Sequence, residues 1–226
     1  MDTLINDLRY AAKMLLKSKG VTVVAMISLA VGIGANSVIF SLVNSLLWQP
    51  LPVASPEQIV QLYKGDQEQP YEGMSYPSYV DFRERNEVFS GLAAYGIWQF
   101  KLTGGNQAEQ VWGEVVSGNY FDVLGVPAYQ GRTFTAEEDE VPNRNPVVVI
   151  SESLWQRRFN SDPSLVGQTI TLNSKQLTVV GIAPSQFTGM IRGLASDIWV
   201  PAMISPALDP ATGEGRVCIR FDCWRS

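Results

Sequence analysis

Residues 21–48 read VTVVAMISLAVGIGANSVIFSLVNSLLW, and this stretch decides how the rest of the chain is organised. No charged residue occurs between Val21 and Pro56. A helix of this length extends about 42 Å, which is enough to cross the hydrocarbon core of a bilayer and its interfaces. The stretch therefore predicts a transmembrane helix over residues 21–48.

Two other interpretations of this stretch fail. Gly32, Gly34 and Ser37 approximate the dinucleotide-binding pattern G-x-G-x-x-G, but such a loop follows a separate strand. Here the residues before Gly32 belong to the same apolar run, and the first acidic residue after it is Glu57. A signal peptide cleaved after Ala35 is also disfavoured, because the apolar run continues for about a dozen further residues. We therefore expect the helix to remain attached.

The residues before this helix predict its orientation. Asp2 and Asp7 are outnumbered there by four basic residues: Arg9, Lys13, Lys17 and Lys19. Because lysine and arginine stay on the cytoplasmic side, the amino terminus is expected inside and residues from about 50 onward outside. Apolar residues recur at helical spacing between Leu4 and Leu16, which predicts an amphipathic helix on the inner membrane surface within residues 1–20.

The far end of the helix carries an interfacial aromatic residue and one face of small residues. Trp48 lies where an interfacial anchor belongs, and Pro50 and Pro52 end the helix. Six small or weakly polar residues recur every three or four positions and predict a packing face for another helix: Ala30, Gly34, Ser37, Ser41, Asn44 and Ser45. The alternative is the general abundance of such residues in membrane helices.

The composition excludes several classes of function. The chain has 226 residues, a formal net charge of −5 and no histidine, which removes histidine-dependent catalytic triads and most zinc sites. Residues 1–20 carry a charge of 4 − 2 = +2, so the remainder carries 13 − 20 = −7. An acidic body argues against nucleic-acid binding. No Walker A lysine motif or catalytic serine elbow occurs, so the sequence predicts no enzyme, no cofactor and no metal.

The acidic run at residues 137–140 has a structural explanation. Thr135 and Glu138 have the spacing of a capping box, whereas a calcium loop needs alternating ligands and a glycine that are missing here. Arg157 and Arg158 could attract an anion, but surface arginines are the ordinary case on a short helix.

Residues after Pro56 alternate short strand and helix signals. Helices are predicted over 79–87, 119–124 and 152–159, the last capped by Ser151. Strands are predicted over 57–63, 97–102, 110–116, 146–150, 169–172, 176–182 and 197–201. Together with the membrane helix, this pattern predicts an α+β protein whose outer domain contains a mixed sheet.

Several ordered segments resemble MacB-like and FtsX-like ABC transporter permeases, most closely the orphan permeases that carry two such modules. The membrane portion contributes DLRYAAKMLLKSKG at 7–20 and LAVGIGANSVIFSLVNSLLWQPLP at 29–52. The outer portion resembles the periplasmic core domain of that family: GEVVSGNYFDVLGVPAYQGRTFTAEED at 113–139, NPVVVISESLWQRRF at 145–159 and VGQTITLNSKQLTVVGIAPSQF at 166–187. Two mild departures are Lys19, where the family often has proline, and Trp48, where it often has arginine.

This resemblance implies a non-catalytic component of the bacterial inner membrane. Such permeases act as dimers beside a cytoplasmic ABC ATPase, and ATP hydrolysis moves the helices and so the outer domains, as in efflux. The lipid bilayer, an ATPase and a second copy are therefore the expected partners. The alternative is a single-span anchor that holds a periplasmic binding module and has no transport role.

The end of the sequence departs from the family pattern. After Pro206 the resemblance fades, and the last residues read RVCIRFDCWRS. The expectation is a truncated copy, with an incomplete core domain over 49–213 and a divergent tail over 214–226. Cys218 and Cys223 could pair in an oxidising compartment, but two cysteines in a tail predict free thiols rather than a disulfide framework.

Overall fold

The computed structural model describes residues 10, 17–47, 53, 56–62, 74–103, 108–191, 193–204 and 216–222. The chain divides into two compact units, residues 1–49 and residues 50–226, which we describe separately. Of the predicted amphipathic helix, only Tyr10 and residues 17–20 fall inside the described ranges.

The first unit contains one long helix, α1, over Lys19–Leu47. Its first turn is closed by Thr22, whose backbone N–H and side-chain hydroxyl both donate to the carbonyl of Ser18 at 3.1 Å. Its 29 residues correspond to a rod about 43 Å long. Among the described residues this is the one helix that is long and apolar enough to cross a membrane, by length and composition alone. The predicted apolar helix is confirmed, with bounds shifted by one or two residues.

The second unit corresponds to the predicted outer domain and is called the outer unit; it is a mixed sheet with short helices. Its strands are β1 (Ile59–Leu62), β2 (Met74–Ser75), β3 (Gly91–Thr103), β4 (Glu109–Val116), β5 (Gln130–Gly131), β6 (Val147–Ser151), β7 (Thr169–Leu172), β8 (Lys175–Ala183), β9 (Ile198–Pro201) and β10 (Arg216–Asp222). Its α-helices are α2 (Tyr76–Glu84), α3 (Tyr120–Leu124) and α4 (Glu152–Phe159), and single 3₁₀ turns occupy Pro56–Gln58, Ala136–Asp139, Pro163–Leu165 and Ala202–Ile204. The predicted α+β class is confirmed.

Six of these strands form a closed ring of pairings. The order is β3-β4-β9-β6-β8-β7, and β7 returns to β3 through Leu102↔Leu172 and Thr103↔Thr171. The pairs β4–β9 and β6–β8 are parallel, and the other pairs of the ring are antiparallel. The sequence predicted a mixed sheet but not its closure.

Side chains alternate between two apolar clusters along the strands of the ring. On β6, Val148 and Ile150 belong to one cluster, and Val147 and Val149 belong to the other. The first cluster also contains the side chains Phe100, Leu102, Val111, Val115, Ile170, Leu172, Leu177, Val179, Ile198 and Val200. The second is rich in aromatic residues from β3, α3, the segment between β5 and β6, the β8–β9 connection and β9. Both faces of the sheet are therefore covered, as continuous apolar strands require.

Strand β10 is the main difference from the sequence-based expectation. Residues 216–222 lie in the predicted divergent tail, yet their backbone pairs antiparallel with β1 on one side and β3 on the other. This pairing also explains why β3 begins at Gly91, six residues earlier than predicted. Cys218 lies within β10, while Cys223 lies outside the described residues.

Candidate functional site: the apolar helix and the carboxylates of the outer unit

Four residues of the predicted packing face lie along one side of α1. Ala30, Gly34, Ser37 and Ser41 fall within an arc of about 60° when each residue turns the helix by about 100°. All four are exposed, and a Cβ added to Gly34 would meet nothing within 4 Å. Within the described residues nothing packs on this side, so the packing face stays a prediction.

The remaining membrane-related residues are only partly described. Asn44 and Ser45 lie on the helical backbone of α1, and Lys17 and Lys19 are exposed at its amino-terminal end. Three further predicted residues lie outside the described residues: Arg9, Lys13 and Trp48. The orientation that these residues predict is therefore untested.

Sequence reasoning passed over Asn36, which lies on a different side of α1. It is turned by about 130° from the middle of the predicted packing face, and Gly32 precedes it by one helical turn. A carboxamide in hydrocarbon needs a hydrogen-bonding partner, so an amide inside a long apolar run is a readable signal. If α1 crosses a membrane, at least two of its sides carry groups that favour helix contacts.

In the second unit, Glu114 on β4 is completely buried and accepts four hydrogen bonds. Its Oε2 accepts from the hydroxyl of Tyr120 at 2.5 Å and from the indole N–H of Trp199 at 3.0 Å. Its Oε1 accepts from the backbone N–H of Met190 and the hydroxyl of Ser196, both at 3.0 Å. The carboxylate thus joins β4, α3, β9 and the β8–β9 connection.

The surroundings of Glu114 favour a structural role. Burial raises its pKa, while the four donors favour its ionised form. Gly189 adopts φ +93°, and a Cβ there would lie 2.2 Å from Oε1 of Glu114, so the backbone approaches the carboxylate as closely as glycine allows. No acceptor position of the carboxylate remains for a ligand, since two oxygens already receive four donors.

Asp139 forms a second buried junction. Its Oδ2 accepts from the hydroxyl of Tyr76 and, at 3.0 Å, from the backbone N–H of Gly118. Its Oδ1 accepts from the backbone N–H of Met203 at 3.0 Å. Burial raises the pKa of Asp139. This carboxylate ties the start of α2 to the β4–α3 turn and to the segment after β9.

Glu138 next to it confirms the predicted capping box. Its side chain accepts from the backbone N–H of Thr135 at 3.0 Å, although the turn that it caps is 3₁₀ rather than α-helical. It also pairs with both terminal nitrogens of Arg132, at 2.6 and 2.9 Å. Within the described ranges, no group of three or more histidine, cysteine, aspartate or glutamate side chains is placed to hold a metal ion.

The two arginines of α4 are engaged by acidic side chains. Arg157 donates to both oxygens of Asp197 at 2.8 Å and to Glu109 at 3.2 Å, and Arg158 lies 3.4 Å from Glu109. Asp197 also accepts from Ser151, whose hydroxyl caps α4 by accepting from the backbone N–H of Leu154. These contacts occupy the guanidinium groups, so an anion would have to displace carboxylates.

The chain matches the family model of the MacB-like periplasmic core domain over residues 22–217. It is 31% identical over 144 residues to a macrolide export ATP-binding/permease protein MacB from Aggregatibacter actinomycetemcomitans, covering 64% of this chain and 20% of that protein. It is also 30% identical over 86 residues to a probable export ATP-binding/permease protein MacB from Pseudomonas entomophila (strain L48). That alignment covers 38% of this chain and 13% of that protein. The chain thus spans a fifth or less of the length of these curated relatives.

The fold is also similar to solved structures of outer domains. The periplasmic region of MacB from Actinobacillus actinomycetemcomitans superposes with a TM-score of 0.58 at 16% identity, over 76% of each chain. The extracellular domain of the noncanonic ABC-type transporter YknZ from Gram-positive bacteria superposes with a TM-score of 0.55 at 15% identity. The superposition covers 74% of this chain and 84% of that domain. At these identities the likeness concerns the fold alone.

Proposed function

The chain belongs to the family of the MacB-like periplasmic core domain, and we propose that it acts as a non-catalytic permease component of an ABC transporter or efflux system. One observation carries the proposal: the family match begins at residue 22, inside α1, and continues through the outer unit. The family model therefore spans most of the apolar helix together with the outer unit in one arrangement. This arrangement is what a component that relays movement across a membrane requires.

In the proposed mechanism, ATP hydrolysis by a cytoplasmic ABC ATPase displaces α1, and the displacement reaches the outer unit. A continuous helix suits this role because its backbone hydrogen bonds let it move as a rod. The proposed location is the bacterial inner membrane, with the amino terminus cytoplasmic and residues from about 50 periplasmic. The basic residues Arg9, Lys13, Lys17 and Lys19 support this orientation, and Trp48 is the proposed interfacial anchor.

Purification with a partner tests the transport role. The full chain, tagged and extracted from membranes of its source in mild detergent, should retain a protein that carries a Walker A motif. The matched control is the same chain with residues 21–48 replaced by an unrelated transmembrane helix. Retention by the native chain alone supports the permease role, and loss of the ATPase in both samples contradicts it.

A single-span anchor for a periplasmic binding module is the second candidate. It is favoured by the observation that, among the described residues, one helix is long and apolar enough to cross a membrane. In that case the purified chain should retain a periplasmic protein and no ATPase.

The packing face of α1 makes a separate prediction about self-association. Gly34→Leu places a bulky side chain on the face formed by Ala30, Gly34, Ser37 and Ser41. It should weaken dimer formation several-fold, because small residues let helices approach closely. Ala35→Leu is the matched control, because exposed Ala35 is turned by about 130° from the middle of this face and by about 100° from Asn36. A membrane two-hybrid reporter fused to residues 17–50 measures both, and an equal signal from the two variants counts against the face.

A further inference from the structure

A groove opens on the outer unit between strand β1, helix α2 and the turn that follows α2. It has a volume of about 490 Å³ and an apolar floor formed by Leu62, Phe89 and Leu92. Polar and charged side chains lie around this floor: Asp81, Arg85 and Glu87. We call it the β1 groove. Its size falls within the range of pockets that hold ligands or side chains of partners.

Large apolar side chains stand exposed in and beside the β1 groove. Phe82 of α2 is 52% exposed and Val88 of the following turn is 70% exposed, and both line the groove. Val60, two residues before Leu62 on β1, is 42% exposed. A contiguous apolar surface with a polar rim marks an interaction site more often than chance exposure of single residues does.

The walls of the groove are held in place by hydrogen bonds. The side-chain oxygen of Asn86 accepts from the backbone N–H groups of Val88 and Phe89 at 3.1 and 2.8 Å, and its amide donates to the carbonyl of Phe89 at 2.6 Å. On the inner side of α2, the hydroxyl of Tyr79 donates to the carbonyl of Leu92 at 2.9 Å. The exposed position of Val88 is therefore preorganised, which lowers the entropic cost of binding.

Strand β1 offers backbone hydrogen-bonding groups along the same groove. It begins the strand order and pairs with β10, and among the described strands none pairs with its other edge. Val60 and Leu62 share one face of β1, whereas Ile59 packs against the aromatic cluster on the other face. An extended segment that added to this edge would direct alternate side chains toward the groove.

We propose that the β1 groove binds an extended segment of a partner protein, in which a bulky apolar residue is flanked by lysine or arginine. The apolar floor selects the bulky residue, and the edge of β1 selects the extended backbone. The carboxylates of Asp81 and Glu87 outnumber the guanidinium of Arg85, and none of the three forms an ion pair with another described residue. This proposal does not depend on a transport role.

The probe is a fluorescent heptapeptide, Lys-Thr-Val-Phe-Val-Lys-Thr, titrated into the full chain in phosphatidylcholine nanodiscs, with empty nanodiscs as the blank. We expect saturable binding. Three altered peptides should each bind about tenfold more weakly: one with alanine for phenylalanine, one with glutamate for both lysines, and one with alternate backbone nitrogens methylated. Absence of saturation up to about 1 mM, or equal affinity of all four peptides, overturns the proposal.

Protein variants locate the binding. Phe82→Asp and Val88→Asp should each weaken binding of the phenylalanine peptide by about tenfold, since both place a charge against the apolar residue. Val141→Asp is the matched control, because Val141 is 41% exposed and does not line the groove. Near-ultraviolet circular dichroism verifies that each variant is folded. If Phe82→Asp is unfolded, the result for Val88→Asp decides the test.

Two results would overturn the assignment of the site or of its occupant. Binding that survives Val88→Asp in a folded protein places the peptide elsewhere. A concentration-dependent dimer of the full chain that Val88→Asp abolishes makes a second copy the occupant instead of a partner protein.

Discussion

Glu114 and Glu138 are two glutamates with little exposed surface, yet the protein surrounds them in opposite ways. Glu114 lies inside the outer unit and accepts from two hydroxyls, one indole and one backbone N–H. Glu138 is also largely buried, but it pairs with the half-exposed guanidinium of Arg132. The first carboxylate is held by neutral dipoles in a dry environment, and the second by a charge that water can reach.

The two environments move the pKa in opposite directions. For Glu114, burial is the dominant effect and raises the pKa. For Glu138, burial also raises the pKa, but the hydrogen bonds from Arg132 and Thr135 outweigh it and bring the pKa below the ordinary value. Burial alone therefore does not decide how a carboxylate behaves here. The charge of its partners and their access to solvent do.

The largest expected difference between the two sites is the cost of removing the carboxylate. Glu114→Ala leaves four buried donors without an acceptor, and should lower the free energy of unfolding by about 3 kcal/mol or more. Glu138→Ala should cost about 1 kcal/mol, because Arg132 can return to water. Urea titration of the full chain in detergent measures both values. Equal losses would show that the hydrogen bonds to Glu114 contribute no more than a surface ion pair.

A smaller effect is expected when one donor is removed instead of the acceptor. Tyr120→Phe deletes the 2.5 Å hydrogen bond to Oε2 of Glu114 and leaves the ring packing in place. The free energy of unfolding should fall by about 1.5 kcal/mol, as for a hydrogen bond to a charged group. Tyr129→Phe is the matched control, because Tyr129 is exposed and should change stability by less than about 0.5 kcal/mol. A loss in both variants would point to a general effect of the hydroxyl.

The sequence predicts the elements near both glutamates, but not the environment of Glu114. Within EQVWGEVV on β4, alternation places Glu114 on the same side as the exposed Trp112, which is the usual solvent side of a strand. The structure covers the end of that side with α3 and the β8–β9 connection, which bring Tyr120 and Ser196 to the carboxylate. Such long-range covering leaves no local signal. Glu138, by contrast, follows from the local spacing of the capping box.

The same distinction between local and long-range signals holds for the fold. The β7–β8 hairpin was predictable from Asn173 and Ser174, which both adopt positive φ in the turn. Strand β10 also had a local signal, because the apolar residues Val217, Ile219 and Phe221 occupy alternate positions as in a strand. The prediction of a divergent tail, based on the loss of family resemblance after Pro206, passed over this signal. Closure of the ring had no local signal, because β3 and β7 pair although about 70 residues of sequence separate them.

The smallest expected effect is a difference in the slope of stability with pH. The raised pKa of Glu114 means that the folded state holds the carboxyl proton more tightly than the unfolded chain does. The resulting contribution to stability is present below the ordinary value of 4.5 and is lost as the pH rises through the folded pKa. The lowered pKa of Glu138 gives the opposite sign, a contribution present above 4.5 and lost as the pH falls through the folded pKa.

Thermal unfolding of the full chain between pH 3 and pH 8 separates the two slopes. Relative to Glu114→Gln, the native protein should lose stability as the pH rises above 4.5, because the variant lacks this titration. Relative to Glu138→Gln, it should lose stability as the pH falls below 4.5. Added salt should reduce the second difference more than the first, since water and ions reach Arg132 but not the interior around Glu114. Slopes of the same sign in both variants would mean that the protein does not distinguish the two carboxylates by their partners.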